Sequence, residues 1–318
     1  MVALDINQLD GALVLVTGGA GFIGSHIVDG LLAQGANVRV LDNLETGHIE
    51  NLAHVKNKIE FVKGDIRQLE FCQTSCRGVD FVLHQAALGS VPRSLQLPAD
   101  SILTNVCGTA NVFTAARDQH VKRIVYASSS SVYGTSDRLP KREGEEGRPL
   151  SPYALSKQMD EELAALYTRC FEMQIVGLRY FNVYGARQDP NGPYAAVIPK
   201  FFASCRSGQA PIIYGDGEQS RDFTFVGDVV QANLAALLGA GGEGMAFNVG
   251  AGSRTTVNDL AFAIAHATGF AGNPEHQPTR AGDILHSIAD TSRIRETFNW
   301  SASTHLDEGI KVCAQYYV

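Results

Sequence analysis

Apolar positions in the first half of the chain come in two alternating kinds. Short runs rich in β-branched residues lie at 13–17 (LVLVT), 37–41 (NVRVL), 59–62 (IEFV), 81–83 (FVL) and 123–127 (RIVYA). Longer stretches with spaced apolar residues lie between some of them, at 22–32 and 98–120. The first kind suits strands of a parallel sheet covered on both faces, and the second suits crossover helices. Alternation through about residue 178 therefore predicts an α/β fold, a doubly wound parallel sheet with helices on both faces. Residues 226–238 then predict a helix and 245–249 (MAFNV) a strand returning to the same sheet.

The first strand runs into TGGAGFIG, with Gly18, Gly21 and Gly24 at the junction with the first helix. Gly18 serves the tight turn, Gly21 lets the backbone approach a pyrophosphate, and Gly24 lets helix and strand pack closely. The helix opens at Phe22 and Ile23, where unpaired N–H groups and a partial positive charge face the phosphates. The second strand ends at Asp42, eighteen positions after Gly24, where a carboxylate accepts from the adenosine ribose hydroxyls and repels a 2′-phosphate. NAD is therefore expected as cofactor in preference to NADP. After the third strand, Gly64-Asp65-Ile66 puts Asp65 where adenine would lie. The fourth runs into His84-Gln85-Ala86-Ala87, whose small residues leave room for a ligand outside the strand ends. Serines 128–131 follow the fifth strand and point hydroxyls into the same crevice.

SPYALSK (151–157) carries candidate chemistry. Pro152 suits a helix start, so Tyr153 and Lys157 stand one turn apart on one face. A phenol is a poor base at neutral pH, but a neighbouring ammonium and an oxidised nicotinamide both favour phenolate. With the glycine turn, this pair predicts redox chemistry at a carbinol carbon.

Composition narrows the partners. The 318 residues are 45% hydrophobic, enough for a nucleotide-binding lobe and a smaller one. A net charge of −7 and an isoelectric point near 5.7 offer no basic stripe for nucleic acid, and no eighteen-residue apolar run offers a membrane span. A small-molecule partner is expected, with no nucleic acid and no membrane. The N-terminus lacks a signal-peptide pattern, and the cysteines at 72, 76, 107, 170, 205 and 313 have no metal-ligand spacing, so reduced thiols, a cytoplasmic setting and no metal are expected. Cys72 and Cys76, four apart, read as an unlinked pair. His48, His54, His276 and His305 match no catalytic pattern and read as solvated or structural.

The chain resembles the extended short-chain dehydrogenase/reductases, and within them the UDP-hexose 4-epimerases, nearest to bacterial enzymes preferring N-acetylated UDP-sugars. The likeness spans nearly the whole chain through TGGAGFIG, VLDNL, GDI, HQAAL, SSSSVYG, SPYALSK, LRYFNVYG, AAVIPKF, YGDGEQSRDFTFVGDV, FNVG and RAGDILHSIADTSR. It implies a reaction in which NAD takes a hydride from C4 of the sugar, and the 4-keto sugar turns over and is reduced on its other face. Tyr153 would move the C4 hydroxyl proton, Ser129 would bond the C4 oxygen, and Lys157 would bond the nicotinamide ribose. Asn43, Ile66, Asn105 and Tyr180 join the implied cofactor contacts. On the substrate side, Asn182 matches a diphosphate contact, Ala196 and Val197 the uracil stretch, and Arg221, Arg280 and Asp283 the clamp on diphosphate and ribose. Ser90, Ser130 and Gln188 match positions around the C2 substituent. Ser287, seven after Arg280, matches a gate where tyrosine excludes N-acetyl and a small residue admits it.

Related 4,6-dehydratases and decarboxylases carry a carboxylate just after the position of Ser129, where this chain has Ser130 and Ser131. Epimerisation is thereby favoured over dehydration. The implied reaction is interconversion of UDP-N-acetylglucosamine and UDP-N-acetylgalactosamine, with UDP-glucose and UDP-galactose as a further pair. A uronate-preferring epimerase and a non-catalytic nucleotide-sugar sensor are the alternatives. The expected organisation is an NAD-binding lobe over 1–181, with 222–250 returning to it, and a substrate lobe from 182–221 and 251–318. A homodimer is implied through a four-helix bundle of residues 102–120 and 153–171 from each subunit.

Overall fold

Five apolar runs of the N-terminal half become strands β1 (Leu13–Thr17), β2 (Asn37–Asp42), β3 (Ile59–Lys63), β4 (Phe81–His84) and β5 (Arg123–Ser129). They are joined by β6 (Ile175–Tyr180), the short β7 (Val183–Tyr184), β8 (Ile212–Tyr214), β9 (Ser220–Arg221) and β10 (Thr224–Phe225), then β11 (Ala246–Val249), β12 (Thr255–Thr256) and β13 (Glu275–Gln277). The helices are α1 (Phe22–Ala33), α2 (Leu69–Cys76), α3 (Val91–Gln96), α4 (Pro98–Ile102), α5 (Gly108–Asp118), α6 (Pro152–Phe171), α7 (Val197–Arg206), α8 (Val226–Leu238), α9 (Val257–Thr268), α10 (Ser292–Phe298) and α11 (Leu306–Tyr317). The structure, a computed structural model, describes residues 9–190, 196–279 and 285–317.

Among the described residues, seven strands form one parallel sheet in the order β11-β6-β5-β4-β1-β2-β3. The order reverses between β1 and β4, where Thr17 stands opposite His84. Chain leaving these neighbours departs in opposite directions, so a crevice opens outside their carboxyl ends. Side chains of β1 divide between the two faces with period two. Val14 and Val16 pack with Ile27, Leu31, Val229 and Leu234 of α1 and α8, whereas Leu15 packs with Val82, Val112, Phe113 and Ala164 on the other side. A third core of Phe201, Phe202, Leu260, Ile264, Ile310 and Cys313 binds α7, α9 and α11 into a smaller lobe. The returning helix and strand of the sequence reading are present as α8 and β11. Its lobe boundary needs one correction. Ile294, Phe298 and Trp300, expected in the substrate lobe, pack with the sheet.

The single helix expected over 98–120 is also corrected. Leu97 adopts φ −128°, ψ 66° ahead of Pro98, as a residue before proline is pushed out of the helical region. It separates α3, which the pattern did not reveal, from α4. A widened π turn (Leu103–Cys107) then precedes α5. Several strands outlast their apolar runs at the carboxyl end: β2 reaches Asp42, β4 reaches His84 and β5 reaches Ser129. Polar residues thus ride the backbone ladder into the crevice. No helix among the described residues is long and apolar enough to cross a membrane. The six cysteines are unpaired, Cys72 and Cys76 included.

Candidate active site

The crevice holds a cleft of about 470 Å³ that runs from the glycine turn to Lys157. Gly18 sits at φ +68°, and a Cβ there would lie 2.7 Å from the Ala86 backbone. A Cβ on Gly24 would lie 2.1 Å from Gly18 O, so only glycine lets α1 start this close to the strand. Gly21, Phe22, Ile23 and Gly24 all line the cleft. First-turn amides of a helix have no carbonyl one turn behind them, and here they face open space.

At the far end of the cleft, Asp42 is nearly buried and is held by two backbone amides. Its Oδ2 accepts from Ala20 N at 2.9 Å and its Oδ1 from Leu44 N at 2.8 Å. Burial raises its pKa and these bonds oppose the rise. Each carboxylate oxygen retains a lone pair for a ligand hydroxyl. Asn43 Nδ2 donates to Asp65 Oδ2 at 2.9 Å, and the Arg67 guanidinium beside Asp65 pulls its carboxyl down to about 2. Ile66 continues this wall. Gln85, Ala86, Ala87 and Tyr180 line the middle of the cleft. The Tyr180 hydroxyl is tied to Gln85 Oε1 at 3.1 Å and to Asn233, which fixes the ring as a wall.

Tyr153, Lys157 and Ser129 meet at the other end. Ser151 caps α6 by accepting from Ala154 N at 3.1 Å, and Pro152 occupies the first turn. The helix therefore starts where Tyr153 and Lys157 both reach the cleft. Lys157 Nζ donates to Ala127 O at 2.9 Å and to Asp160 Oδ2 at 3.0 Å. Burial pushes this ammonium down, but Asp160 and then Tyr153 outweigh burial and leave its pKa raised. Ser129 Oγ accepts from Ser131 N at 3.2 Å and from Ser131 Oγ at 2.9 Å, so its own proton is free for a ligand oxygen.

A second cleft, of about 310 Å³, shares Val183 and Gln188 with the first. Asn182, Ala196, Val197 and Arg221 line it, together with Tyr214, Gln219 and Phe223. Gln188 Nε2 donates to Val183 O at 3.3 Å, which leaves Oε1 buried and without a partner among the described residues. Thus most residues expected from the sequence converge on two joined clefts.

Four expected residues stand elsewhere. Asn105 is fully buried behind the wall, bonded to Leu88 N and O and to Ser156 Oγ, and supports the cleft-lining Leu88 without reaching the cleft. Ser90 caps α3 by accepting from Arg93 N at 3.2 Å. Ser130 opens a 3-10 turn (Ser130–Tyr133), and Ser287 donates its backbone N–H to Ser220 O at 3.1 Å. None of the four lines either cleft. Arg280 and Asp283 lie outside the described residues. His54 pairs with Asp29 at 2.7 Å and His276 with Gly215 O at 2.8 Å, away from both clefts. Among the described residues, no group of three or more His, Cys, Asp or Glu could hold a metal.

The sequence reading missed Thr46, Gly47 and Thr104 in the larger cleft and Phe223 in the smaller. Phe223 stands in the same SRDF string as Arg221 and was within reach. Thr46 and Gly47 arrive through a loop whose path no local pattern fixes.

The profile of the NAD dependent epimerase/dehydratase family matches residues 14–250. A putative UDP-glucose 4-epimerase of Methanocaldococcus jannaschii is 42% identical over 94% of this chain and 96% of its own length. A UDP-N-acetylglucosamine 4-epimerase from Methanobrevibacter ruminantium, solved with UDP-N-acetylmuramic acid, superposes with a TM-score of 0.92 at 35% identity, covering 97% of this chain and 98% of that one. The UDP-glucose 4-epimerase of Thermus thermophilus, solved with NAD, superposes with a TM-score of 0.86 at 37% identity, covering 96% and 98%.

Proposed function

The chain belongs to the NAD dependent epimerase/dehydratase family, and from that premise we propose that it interconverts UDP-N-acetylglucosamine and UDP-N-acetylgalactosamine by inverting C4. The observation that carries the N-acetyl assignment is Gln188. Gln188 lines both clefts where they meet, and its amide oxygen, which has no partner among the described residues, would meet the N–H of an acetamido group once the side chain turns it into the cleft. A hydrogen-bonded pocket discriminates well, because a sugar lacking the group leaves a buried partner unpaired.

The chain uses NAD, and the residues of the larger cleft fit it: amides of a helix start at one end, a carboxylate for ribose hydroxyls beyond them, and a proton-moving pair at the other end. When bound, NAD supplies the reversible removal and return of a hydride at C4. Tyr153 takes the C4 hydroxyl proton and later restores it. Lys157 favours the phenolate by its charge and holds the nicotinamide ribose. Ser129 donates its free proton to the C4 oxygen and orients it. In the second cleft, Asn182 and Arg221 bind the diphosphate, as guanidinium groups do through charge-assisted bonds, and Ala196 and Val197 pack on the uracil. Ser130 and Ser131 bring no carboxylate to C5 or C6, so the keto sugar is reduced rather than dehydrated.

The reading extends to a homodimer. Leu155, Met159, Leu166 and Phe171 leave α6 with exposed apolar side chains, and Leu103 adds another ahead of α5. Pairing these helices across a two-fold axis would bury that stripe.

The name of the Methanocaldococcus relative favours a second reading, UDP-glucose/UDP-galactose interconversion. Incubation with UDP-N-acetylglucosamine, UDP-glucose and UDP-N-acetylglucosamine uronate in turn, without added NAD, separates the cases. Conversion of the N-acetyl sugar with unchanged absorbance at the reduced-nicotinamide band is the expected result. Turnover of UDP-glucose or the uronate, with the N-acetyl sugar untouched, would overturn the substrate assignment.

A further inference from the structure

Beneath the proton-moving pair lies a chain of buried polar side chains that ends on Lys157 and whose other members the reaction above does not use. Thr17, His84, Thr109, Asp160 and Lys157 are each at most 2% exposed. Thr17 Oγ1 lies 2.6 Å from His84 Nδ1, and His84 Nε2 lies 3.0 Å from Thr109 Oγ1. Asp160 follows, with Oδ2 3.0 Å from Lys157 Nζ. One direction of donation satisfies the links. Ala86 N–H donates to Thr17 Oγ1 at 3.3 Å, Thr17 donates to His84 Nδ1, and His84 Nε2–H donates to Thr109. This leaves the Thr109 proton directed toward Asp160, whose Oδ1 has no bonded partner among the described residues. His84 is neutral in this arrangement: burial first, then the Lys157 ammonium, hold its pKa down at about 3.

Resting on the reading of Tyr153 and Lys157 given above, we propose that Asp160 is a positioning residue for that pair, anchoring the ammonium from beneath so that a single N–H is left for the cleft. The count of donors carries the argument. An ammonium has three N–H groups. Ala127 O takes one and Asp160 Oδ2 takes another, and both acceptors lie on the protein side of the cleft. The third is thereby aimed at the space that Tyr153 and the ribose share. A lysine with four rotatable bonds would otherwise lose this aim. Asp160 also compensates the charge of a buried ammonium, which would be costly to leave unpaired.

Asp160 is itself poised. Burial raises its carboxyl to about 6, against the opposing pull of Lys157 and Thr109. The other titratable groups facing it and Lys157 are Tyr153 and Glu161 on α6, His84 on β4 and Tyr126 on β5, with Arg179 of β6 reached through Glu161. At neutral pH the Asp160 carboxylate is ionised and fixes the lysine that faces Tyr153, and as pH falls through about 6 that anchor loses its charge.

Two variants of the full-length NAD-loaded enzyme separate charge from position. Asp160→Asn keeps an acceptor of the same size and removes the charge, so the acid limb of the kcat–pH profile moves about one unit toward lower pH. Asp160→Ala removes the anchor, so kcat falls about tenfold to a hundredfold with KM and NAD content nearly unchanged. An acid limb in Asp160→Asn that superimposes on wild type, or a wild-type kcat in Asp160→Ala, overturns the proposal. If Asp160→Ala fails to fold, the Asn profile decides. Tyr153→Phe is measured alongside. Wild-type turnover by that variant would overturn the catalytic reading itself, whereas its inactivity beside an unmoved Asp160→Asn profile overturns the positioning role and leaves the reaction standing.

Discussion

Glu161 and Arg179 form a two-pronged ion pair between α6 and β6, with Nε–Oε1 at 2.9 Å and Nη2–Oε2 at 2.7 Å. Arg179 also bonds Glu146 and, at 3.1 Å, the Tyr133 hydroxyl, while Ser128 donates to Glu161. The side chains of Arg179 and Glu161 are 7% and 15% exposed, so the pair locks α6 to the sheet in a region that water barely reaches.

Glu161→Gln is therefore expected to destabilise the fold by about 3 kcal/mol, the low end for breaking a buried pair, because Glu146 still faces Arg179. Urea unfolding of both proteins at pH 7.5 measures it. A loss below about 1 kcal/mol, as for exposed pairs, would show the contact to be dispensable.

Tyr153→Phe should lower kcat about 10²- to 10⁴-fold, the usual worth of a positioned acid–base group, with bound NAD retained. Turnover assays combined with extraction of bound nucleotide give both quantities. Loss of NAD in parallel with activity would instead make Tyr153 a binding residue.

Gly24→Ala tests the glycine turn. A methyl 2.1 Å from Gly18 O must displace the turn, and overpacking of this kind costs about 1–3 kcal/mol. If the strain falls on the cofactor site, NAD affinity drops roughly tenfold to a hundredfold. Titration of apoprotein with NAD would contradict this if the two affinities matched.

Asp222 supplies a pH signature. It is fully buried and accepts from the backbone amides of Ala251, Gly252 and Ala289, yet burial outweighs these bonds and raises its carboxyl to about 6. A carboxyl raised in the folded state contributes stability that is complete below its unfolded pKa, about 4, and is lost as pH rises through 6. The stability gap between wild type and Asp222→Asn is thus expected to be widest near pH 4 and to narrow toward pH 7. Denaturant unfolding at four pH values tests this, and a gap that widens with pH would reverse the assigned sign.

Local chemistry made much of this protein legible in its sequence. The glycine turn announced itself because strand, turn and helix are neighbours in the chain, and Gly24 must be glycine for a contact only six residues back. Asp42 sits at a fixed distance along the same unit, and Tyr153 and Lys157 share a helical turn. Such relationships follow from periodicity, capping and steric limits, which operate over a few residues.

Contacts that join distant segments were decided by the tertiary structure. Asn105 looked like a cofactor contact and became a support behind Leu88, held by bonds to Leu88 and to Ser156 of α6. Ser90 was spent on capping α3, a helix that no apolar period revealed. Trp300, with Ile294 and Phe298, returned to the sheet although the helix that follows, α11, belongs to the smaller lobe. The chain from Thr17 to Asp160 crosses β1, β4, α5 and α6, and each residue in it is unremarkable by itself. Its meaning arises where the sheet order reverses and brings Thr17 opposite His84, since burial removes water as an alternative partner and forces these groups to satisfy one another.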